Sequence, residues 1–348
     1  MSSPPPRHFP PPPHPALPHA RTGTPPLPTP VDYVGLTRPG RRWWRFLVSL
    51  LLLGAIVGAG QLIVTLAFIV VGLVAGWDPL WFMTSLVDLS AVRMSPGSLL
   101  YVNLGLATLI PASIISTRVA QGIRAGFVHS VAGRFRWALF GQVALLLLPV
   151  WLLFLLGSVA LSGGSLTDLN PHPQLWALLL VCWLTTPLQS AGEEYAFRGW
   201  LLQNLGGLFA IRVLAWALPI TTSAVLFGFL HGSADPWVLG SLMIMAVATG
   251  ILTWRSGGLE AAVALHTVNN MVTMHITLFL GGFDAAFVSE DTTGNPLDLL
   301  ATLVVYAIAI GIVWWWLKRR RVANTTTVDP RIPRWMPSAP APQPNSRP

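Results

Sequence analysis

Two adjacent glutamates end one of the apolar segments of this sequence, and they offer its clearest catalytic chemistry. Glu193 and Glu194 are followed by Arg198, four residues after the second glutamate. On a helix, Glu194 and Arg198 share a face and can form an ion pair, whereas Glu193 is turned away by about 100°. Neighbouring carboxylates at membrane depth resist simultaneous ionisation. The pair can therefore hold a proton for general acid–base chemistry, or the segment is an interfacial helix end with a structural ion pair.

Two histidines and an amide occupy two further apolar segments. His231 ends the motif Phe227-x-x-x-His231, and His266 and Asn270 lie four residues apart, so they project from one helix face. Each of these residues alone is explained by hydrogen bonding between helices in lipid. Together with the glutamates, they place ionisable and polar groups on three segments of a chain that is poor in such groups. Because such groups are costly inside a membrane, we expect them to converge in one active or transport site.

The segments that carry these residues have the composition of membrane-spanning helices. Of all residues, 53% are hydrophobic and only 10% are charged, against roughly 25% charged residues in soluble domains. About 20 apolar residues span a bilayer as a helix. The sequence therefore predicts an all-α membrane protein with a bundle of about eight transmembrane helices, and it excludes a soluble enzyme. The eight stretches without Asp, Glu, Lys or Arg are 46–77, 94–117, 137–167, 169–192, 213–234, 236–254, 261–283 and 299–317.

The positive charges flank these stretches and do not form an arm for nucleic acid. The net charge is +8, and the basic clusters lie beside the first, second and last stretches. Such clusters mark the cytoplasmic ends of transmembrane helices, and the loops that alternate with them are acidic or nearly neutral. The sequence predicts a multi-pass protein with both termini in the cytoplasm and no nucleic-acid partner. The clusters are Arg38, Arg41, Arg42 and Arg45; Arg118, Arg124, Arg134 and Arg136; and Lys318, Arg319, Arg320 and Arg321.

Both ends of the chain are rich in proline. Residues 1–30 contain 13 prolines and residues 329–348 contain seven, and proline interrupts both helices and sheet ladders. We therefore expect disordered tails at 1–39 and 322–348, with one membrane domain at 40–321 between them. The residues with catalytic chemistry fall within about 170–280, which is the expected core of the site.

The three polar motifs, taken in order, resemble those of the CPBP family of intramembrane proteases (CAAX protease and bacteriocin-processing, also called Abi). All three match without substitution over about a third of the chain. The resemblance implies an endopeptidase, similar to a CAAX prenyl protease, that hydrolyses peptide bonds of a membrane-associated peptide or protein within the lipid bilayer. The motifs are Glu193-Glu194-x-x-x-Arg198, Phe227-x-x-x-His231 and His266-x-x-x-Asn270.

The resemblance also implies a role for each residue. Glu193 would act as the general base that activates water, with His231 holding or polarising that water. His266 and Asn270 would stabilise the oxyanion of the tetrahedral intermediate, for which one donor is typically worth about 10²–10³ in rate. Glu194 would complete the catalytic set and orient the first motif through its ion pair with Arg198. Arg198 and Phe227 would give the site structural support.

The metal requirement is left open by the sequence. The family is also described as a group of metalloproteases, and Glu193, His231 and His266 would suit a catalytic Zn²⁺ with an open coordination position. The chain lacks an H-E-x-x-H helix, however. We therefore favour a glutamic endopeptidase without a cofactor over a zinc metalloendopeptidase.

The order of the motifs constrains the helices that carry them. Glu193 and His231 can meet only if the fourth helix continues past Arg198, to about Leu202, and if the fifth starts near Pro219 and ends beyond His231. Two other ionisable residues fall outside this arrangement. We expect Glu260 at the membrane interface, and His275 on the face of its helix that points away from the site.

Two other functions fit the same residues. A proton-coupled transporter would use Glu193, Glu194 and His266 as a relay, and a non-catalytic membrane scaffold would bind partners through the proline-rich tails. The Arg-rich, Lys-poor composition is typical of a GC-rich bacterial chain, which favours a bacterial plasma membrane. The sequence does not determine the oligomeric state.

Overall fold

The computed structural model describes residues 27–331 except 28, 41, 77–93, 162, 165–166 and 168. Within these residues the chain is almost entirely helical, which confirms the all-α prediction. Apart from short helical turns, eight helices account for the described fold. They are α1 Trp43–Val74, α2 Pro96–Gln121, α3 Trp137–Leu161, α4 Leu175–Gly206, α5 Arg212–Phe229, α6 Pro236–Ser256, α7 Glu260–Leu280 and α8 Pro296–Arg319.

Seven of these helices are long and apolar enough to cross a membrane, and α7 is the exception. Helix α7 has 21 residues, which is sufficient length, but polar residues such as Glu260, His266 and Asn270 lower its hydropathy. Twelve of its residues are buried, and it packs against α3, α4 and α6. The seventh predicted span is therefore a central helix whose polar side chains are shielded from lipid by its neighbours.

The two ends of the described chain meet at one end of the bundle. Strand β1 (Val31–Asp32), which precedes α1, pairs antiparallel with strand β2 (Thr325–Thr326), which follows α8. An odd number of crossings by the described helices would separate these strands by the bilayer, so the pairing favours eight crossings, including α7. We call this end, formed by residues 31–40, 122–136, 257–260 and 320–331, the basic end. Its cytoplasmic location stays a prediction.

The segment before α1 packs into the basic end. Tyr33 is fully buried, and its hydroxyl donates to the carbonyl of Val128. Burial raises the pKa of Tyr33 well above its ordinary value. Thr37 Oγ1 donates to the carbonyl of Gln203 at 2.7 Å, and Gln203 Nε2 donates to the carbonyl of Phe127 at 2.8 Å. This segment therefore joins the loop after α2 to the end of α4.

The folded part is longer at both ends than the predicted range 40–321. Besides the strand pairing, the backbone N–H of Arg124 donates to the carbonyl of Pro330 at 2.9 Å. The inner parts of both predicted tails thus belong to the basic end, because apolar residues among the prolines give them a surface to bury. Residues 1–26 and 332–348 of the predicted tails lie outside the described residues.

Helix α4 continues past Arg198, as the motif order required. It is α-helical over Leu175–Glu194, π-helical over Tyr195–Leu201 and α-helical again over Leu202–Gly206. The π-helical segment follows directly after the glutamate pair, and such segments are frequent at functional sites.

The predicted bounds of the fifth helix were wrong. Helix α5 begins at Arg212 and accommodates Pro219 in its interior. It ends at Phe229, before His231. The chain must turn within a few residues to start α6 at Pro236, and Gly232 adopts a left-handed φ of 85° in that turn. His231 therefore lies in the turn after α5 and not on the helix.

Helices α2 and α4 approach closely beside the glutamates. A Cβ atom at Gly192 would lie 2.1 Å from the carbonyl oxygen of Leu106, so only glycine allows this approach. Nearby, Asn103 Nδ2 donates to Thr185 Oγ1 at 2.8 Å and to Thr186 Oγ1 at 3.2 Å. Small residues and buried hydrogen bonds of this kind hold helices together in lipid, and here they fix the position of α4.

Candidate active site

His266 on α7 lies between the two glutamates of α4. Its Nδ1 is 2.9 Å from Glu194 Oε1, and its Nε2 is 3.4 Å from Glu193 Oε2. The side chains of His266, Glu193 and Glu194 are only 3%, 11% and 0% exposed, respectively. The structure thus brings the first and third motifs together in a buried site, with one imidazole facing two carboxylates.

The ion pair between Glu194 and Arg198 is present and fully buried. Arg198 Nη1 lies 3.1 Å from Glu194 Oε1, with both side chains 0% exposed. The guanidinium also lies over the ring of Phe227, 4.8 Å from its centroid. Buried charges in proteins are usually paired, and here Arg198 compensates the charge of Glu194 and leaves Glu193 facing His266.

A chain of hydrogen bonds reaches Glu193 from α7. Gln189 Nε2 donates to Glu193 Oε1 at 2.9 Å, and Asn270 Nδ2 donates to Gln189 Oε1 at 3.0 Å. Asn270 Nδ2 also lies 3.3 Å from Ser190 Oγ. Both amide hydrogens of Asn270 are therefore used within the protein, and Gln189 holds the carboxylate oxygen of Glu193 that does not face His266.

The same chain continues to the helices behind the site. Asn269 Nδ2 donates to Asn270 Oδ1 at 3.0 Å. Asn269 Oδ1 accepts from Trp151 Nε1 at 2.9 Å and from the hydroxyl of Tyr306 at 3.3 Å. Helices α3 and α8 thus hold the orientation of the two neighbouring asparagines on α7.

Sequence reasoning assigned no role to Gln189, Asn269, Trp151 or Tyr306. Two of them could have been identified as candidates from the sequence. Gln189 is a polar residue in an apolar stretch, four residues before Glu193, and Asn269 adjoins a motif residue. The contributions of Trp151 and Tyr306 depend on the packing of α3 and α8, which no local pattern specifies.

The second motif reaches the site through an aromatic ring. His231 Nδ1 lies 2.6 Å from the carbonyl oxygen of Phe227, and the two rings are 4.5 Å apart. The ring of Phe227 lies 6.0 Å from that of His266. Within the described residues, no hydrogen bond or ion pair joins His231 to Glu193, because α5 ends before His231.

The structure does not assemble the three metal ligands that the resemblance offered. Among the described residues, no group of three or more His, Cys, Asp or Glu side chains is arranged to hold a metal ion. Glu193 and His266 are adjacent, but each ring nitrogen of His266 already faces a carboxylate. These residues therefore do not fit a three-ligand zinc site.

The remaining ionisable residues of α7 lie away from this site. Glu260 is fully buried at the basic end, where the Arg136 guanidinium donates to its two carboxylate oxygens at 2.9 and 2.7 Å. His275 Nδ1 lies 2.6 Å from the carbonyl oxygen of Met271, and its ring packs against Trp183. Glu260 therefore joins α7 to the start of α3, and His275 stabilises the contact with α4.

Comparison with known proteins bears on the segment that contains all three motifs. An uncharacterized protein, YyaK of Bacillus subtilis (strain 168), is 28% identical over 185 residues, which cover 50% of this chain and 59% of that protein. The match thus spans less than two thirds of the relative. No solved structure matches the chain. Residues 172–272 match the family model described as type II CAAX prenyl endopeptidase Rce1-like, in agreement with the resemblance to CPBP proteases.

Proposed function

We propose that this protein is a membrane-embedded endopeptidase of the CAAX-protease type that acts on a membrane-associated peptide or protein. The observation that carries the proposal is the position of His266 between Glu193 and Glu194, at 3.4 and 2.9 Å. This arrangement lies within the segment that matches the CAAX endopeptidase model. A buried base beside a hydrogen-bond donor is the minimum that water needs in order to attack an amide.

The charges of the site suit a proton that moves between two groups. In the proposed reaction, Glu194 stays ionised beside Arg198, and one further proton passes between Glu193 and His266, which lie 3.4 Å apart. That proton sits on His266 or on Glu193 without any change in the net charge of the four groups. A carboxylate and an imidazole that face each other in a buried site are suited to general acid–base catalysis.

In the proposed reaction, Glu193 takes a proton from a water molecule whose oxygen attacks the carbonyl carbon of the peptide bond. The protonated Nε2 of His266 donates to the oxyanion that forms, while Nδ1–H donates to Glu194. Glu193 then passes its proton to the leaving nitrogen, and the carbon–nitrogen bond breaks. Atoms and charges balance without a covalent intermediate or a metal.

Asn270 and His231 have secondary parts in this proposal. Asn270 can become a second oxyanion donor by exchanging its longer bond, to Ser190 Oγ at 3.3 Å, for the substrate oxygen. His231 approaches the site through Phe227, so we propose that it contacts the water or the substrate from the side of α5.

The proposal is tested by peptide cleavage with purified protein in lipid nanodiscs. Prenylated and unprenylated membrane-anchored peptides are incubated with the wild type, Glu193→Gln and His266→Ala. We expect each variant to lose at least about 10²-fold in cleavage rate. The matched control is Glu290→Gln, because Glu290 is exposed in a loop away from the site. Unchanged cleavage in Glu193→Gln would contradict the proposal.

The transporter alternative rests on the same shared proton. It predicts that the protein in sealed liposomes moves protons across the membrane, that Glu193→Gln stops this movement, and that no peptide is cleaved. A scaffold function predicts neither of these activities. It predicts instead that partner binding is lost when residues 1–26 are deleted. Hydrolysis that depends on Glu193 distinguishes the endopeptidase from both.

A further inference from the structure

A cavity of about 710 Å³ opens at the basic end, between α2, α3, α4 and α7. Ala191 and Tyr195 line it from one face of α4. Glu193 is two residues from each, or about 200° around a helix, so it projects from the opposite face. The cavity is therefore separate from the candidate active site, although the same helix forms a wall of both.

The depth of the cavity corresponds to one leaflet of a bilayer. Ile110, the α2 residue that lines the cavity, precedes the end of that helix at Gln121 by eleven residues, or about 16 Å at 1.5 Å per residue. The hydrocarbon of one leaflet is about 15 Å thick, half of the roughly 30 Å core. Leu188 and Trp137 on its walls are 46% and 73% exposed. The cavity thus opens sideways towards lipid.

The interior of the cavity is apolar and its mouth is basic. Phe135, Phe140 and Val263 line the interior. Arg124 lies at the mouth over the ring of Phe127, 4.7 Å from its centroid, and Arg134 is exposed there. An apolar slot with cations at the membrane surface is complementary to an acyl chain that carries an anionic headgroup.

We propose that this cavity binds an anionic phospholipid of the leaflet at the basic end, with one acyl chain between α2 and α4 and the phosphate beside Arg134 and Arg124. Basic pockets between transmembrane helices are typical sites for such headgroups. The volume lies within the range of about 300–1,000 Å³ that is usual for small-molecule sites. The bound chain contacts Ala191 and Tyr195, so it supports the helix that carries the glutamates. The proposal does not depend on the proposed catalytic function.

Native mass spectrometry of the delipidated protein measures this binding directly. Phosphatidylglycerol and phosphatidylcholine with identical acyl chains are titrated into the wild type, Arg134→Glu and Arg118→Glu. Arg118 is exposed near the same end of α2 but does not line the cavity, so both variants change the net charge equally. We expect Arg134→Glu to weaken phosphatidylglycerol binding at least about fivefold, as one surface cation is worth about 1 kcal/mol. Arg118→Glu and phosphatidylcholine binding should be unaffected.

A second measurement locates the acyl chain. Phosphatidylglycerol with a photoreactive group near the end of one chain should label peptides that contain Ile110 and Leu188 in the wild type, and much less in Arg134→Glu. Equal binding by Arg134→Glu and Arg118→Glu, or labelling spread over the outer helices, would contradict the proposal. So would displacement of the lipid by glycerol 3-phosphate at equal concentration, because the headgroup alone would then account for binding.

Discussion

At the residue scale, the candidate site depends on one imidazole that faces two carboxylates of another helix. Glu194 is paired with Arg198, 3.1 Å away, which leaves Glu193 facing His266 at 3.4 Å. The motif spacing was sufficient to predict the ion pair and the convergence of the first and third motifs. It could not predict which atoms orient Glu193, because hydrogen bonds between helices depend on rotation and depth that the sequence leaves unspecified.

Gln189 is expected to act as a positioning residue for Glu193. Gln189→Leu removes the donor 2.9 Å from Glu193 Oε1, so the carboxylate loses a fixed orientation. We expect kcat for peptide cleavage to fall about tenfold or more, with KM little changed, because Gln189 acts through Glu193 in the proposed reaction and not on the substrate. Asn270 holds Gln189, so the loss in a Gln189→Leu, Asn270→Ala double variant should be smaller than the sum of the two single losses. Additive losses, or a rise in KM alone, would show that Gln189 does not position the base.

His129 is expected to make stability depend on pH. It lies in the loop before α3, where its Nδ1 contacts the hydroxyl of Tyr195, and burial lowers its pKa. The unfolded chain therefore binds a proton more readily than the folded one. Its contribution to stability is complete above about pH 6.5, the unfolded value, and is lost as the pH falls through the lowered folded pKa.

Thermal unfolding in detergent measures this dependence. The melting temperature of the wild type should fall between about pH 6.5 and pH 5 by more than that of His129→Gln, which cannot take up the proton. Parallel curves for the two proteins over this range would mean that His129 does not contribute.

At the element scale, α4 carries the site, and its contacts with α2 and α7 set the geometry. The extension of α4 past Arg198 could be predicted, because the glutamates had to lie at membrane depth. The bounds of α5 could not, since a proline inside an apolar stretch can either start a helix or be accommodated within one. The π-helical segment Tyr195–Leu201 was not predicted, because its residues show no local pattern that distinguishes a π-helix from an α-helix.

The close contact between α2 and α4 requires a glycine at position 192. In Gly192→Ala, the new methyl group would lie 2.1 Å from the carbonyl oxygen of Leu106, so the helices must separate. We expect a loss of about 1–3 kcal/mol in stability, typical of overpacking, and a loss of activity because Glu193 moves with α4. Gly141→Ala is the matched control, since a Cβ atom at Gly141 on α3 meets nothing within 4 Å. A variant at Gly192 as stable and active as this control would mean that the close approach is not required.

At the scale of the whole molecule, the two ends of the described residues and the basic loops form one side of the bundle. The charge pattern predicted this arrangement, and the pairing of β1 with β2 agrees with it. The predicted folded range was too short, because the proline-rich composition near both ends gave no indication that residues such as Tyr33 are buried. The central place of α7 could be anticipated only from its polar residues, which need partners that lipid does not provide.

The orientation of the bundle is tested by cysteine labelling. Cys182 is buried and is the only cysteine in the sequence, so Cys182→Ser provides a clean background. Thr327→Cys at the basic end should react with an impermeant maleimide only after the cells are opened. Ser289→Cys, in the loop between α7 and α8, should react in intact cells. The reverse pattern would place the basic end outside.

Uptake of ¹⁸O from labelled water tests the account most directly. Purified protein cleaves a membrane-anchored peptide in H₂¹⁸O, and the mass of the newly formed carboxyl group is measured for the wild type and for Glu193→Gln. We predict one ¹⁸O atom in the product of the wild type and essentially no product from the variant. An unlabelled product, or cleavage by Glu193→Gln at the rate of the wild type, would contradict the assignment of this carboxylate as the base that activates water.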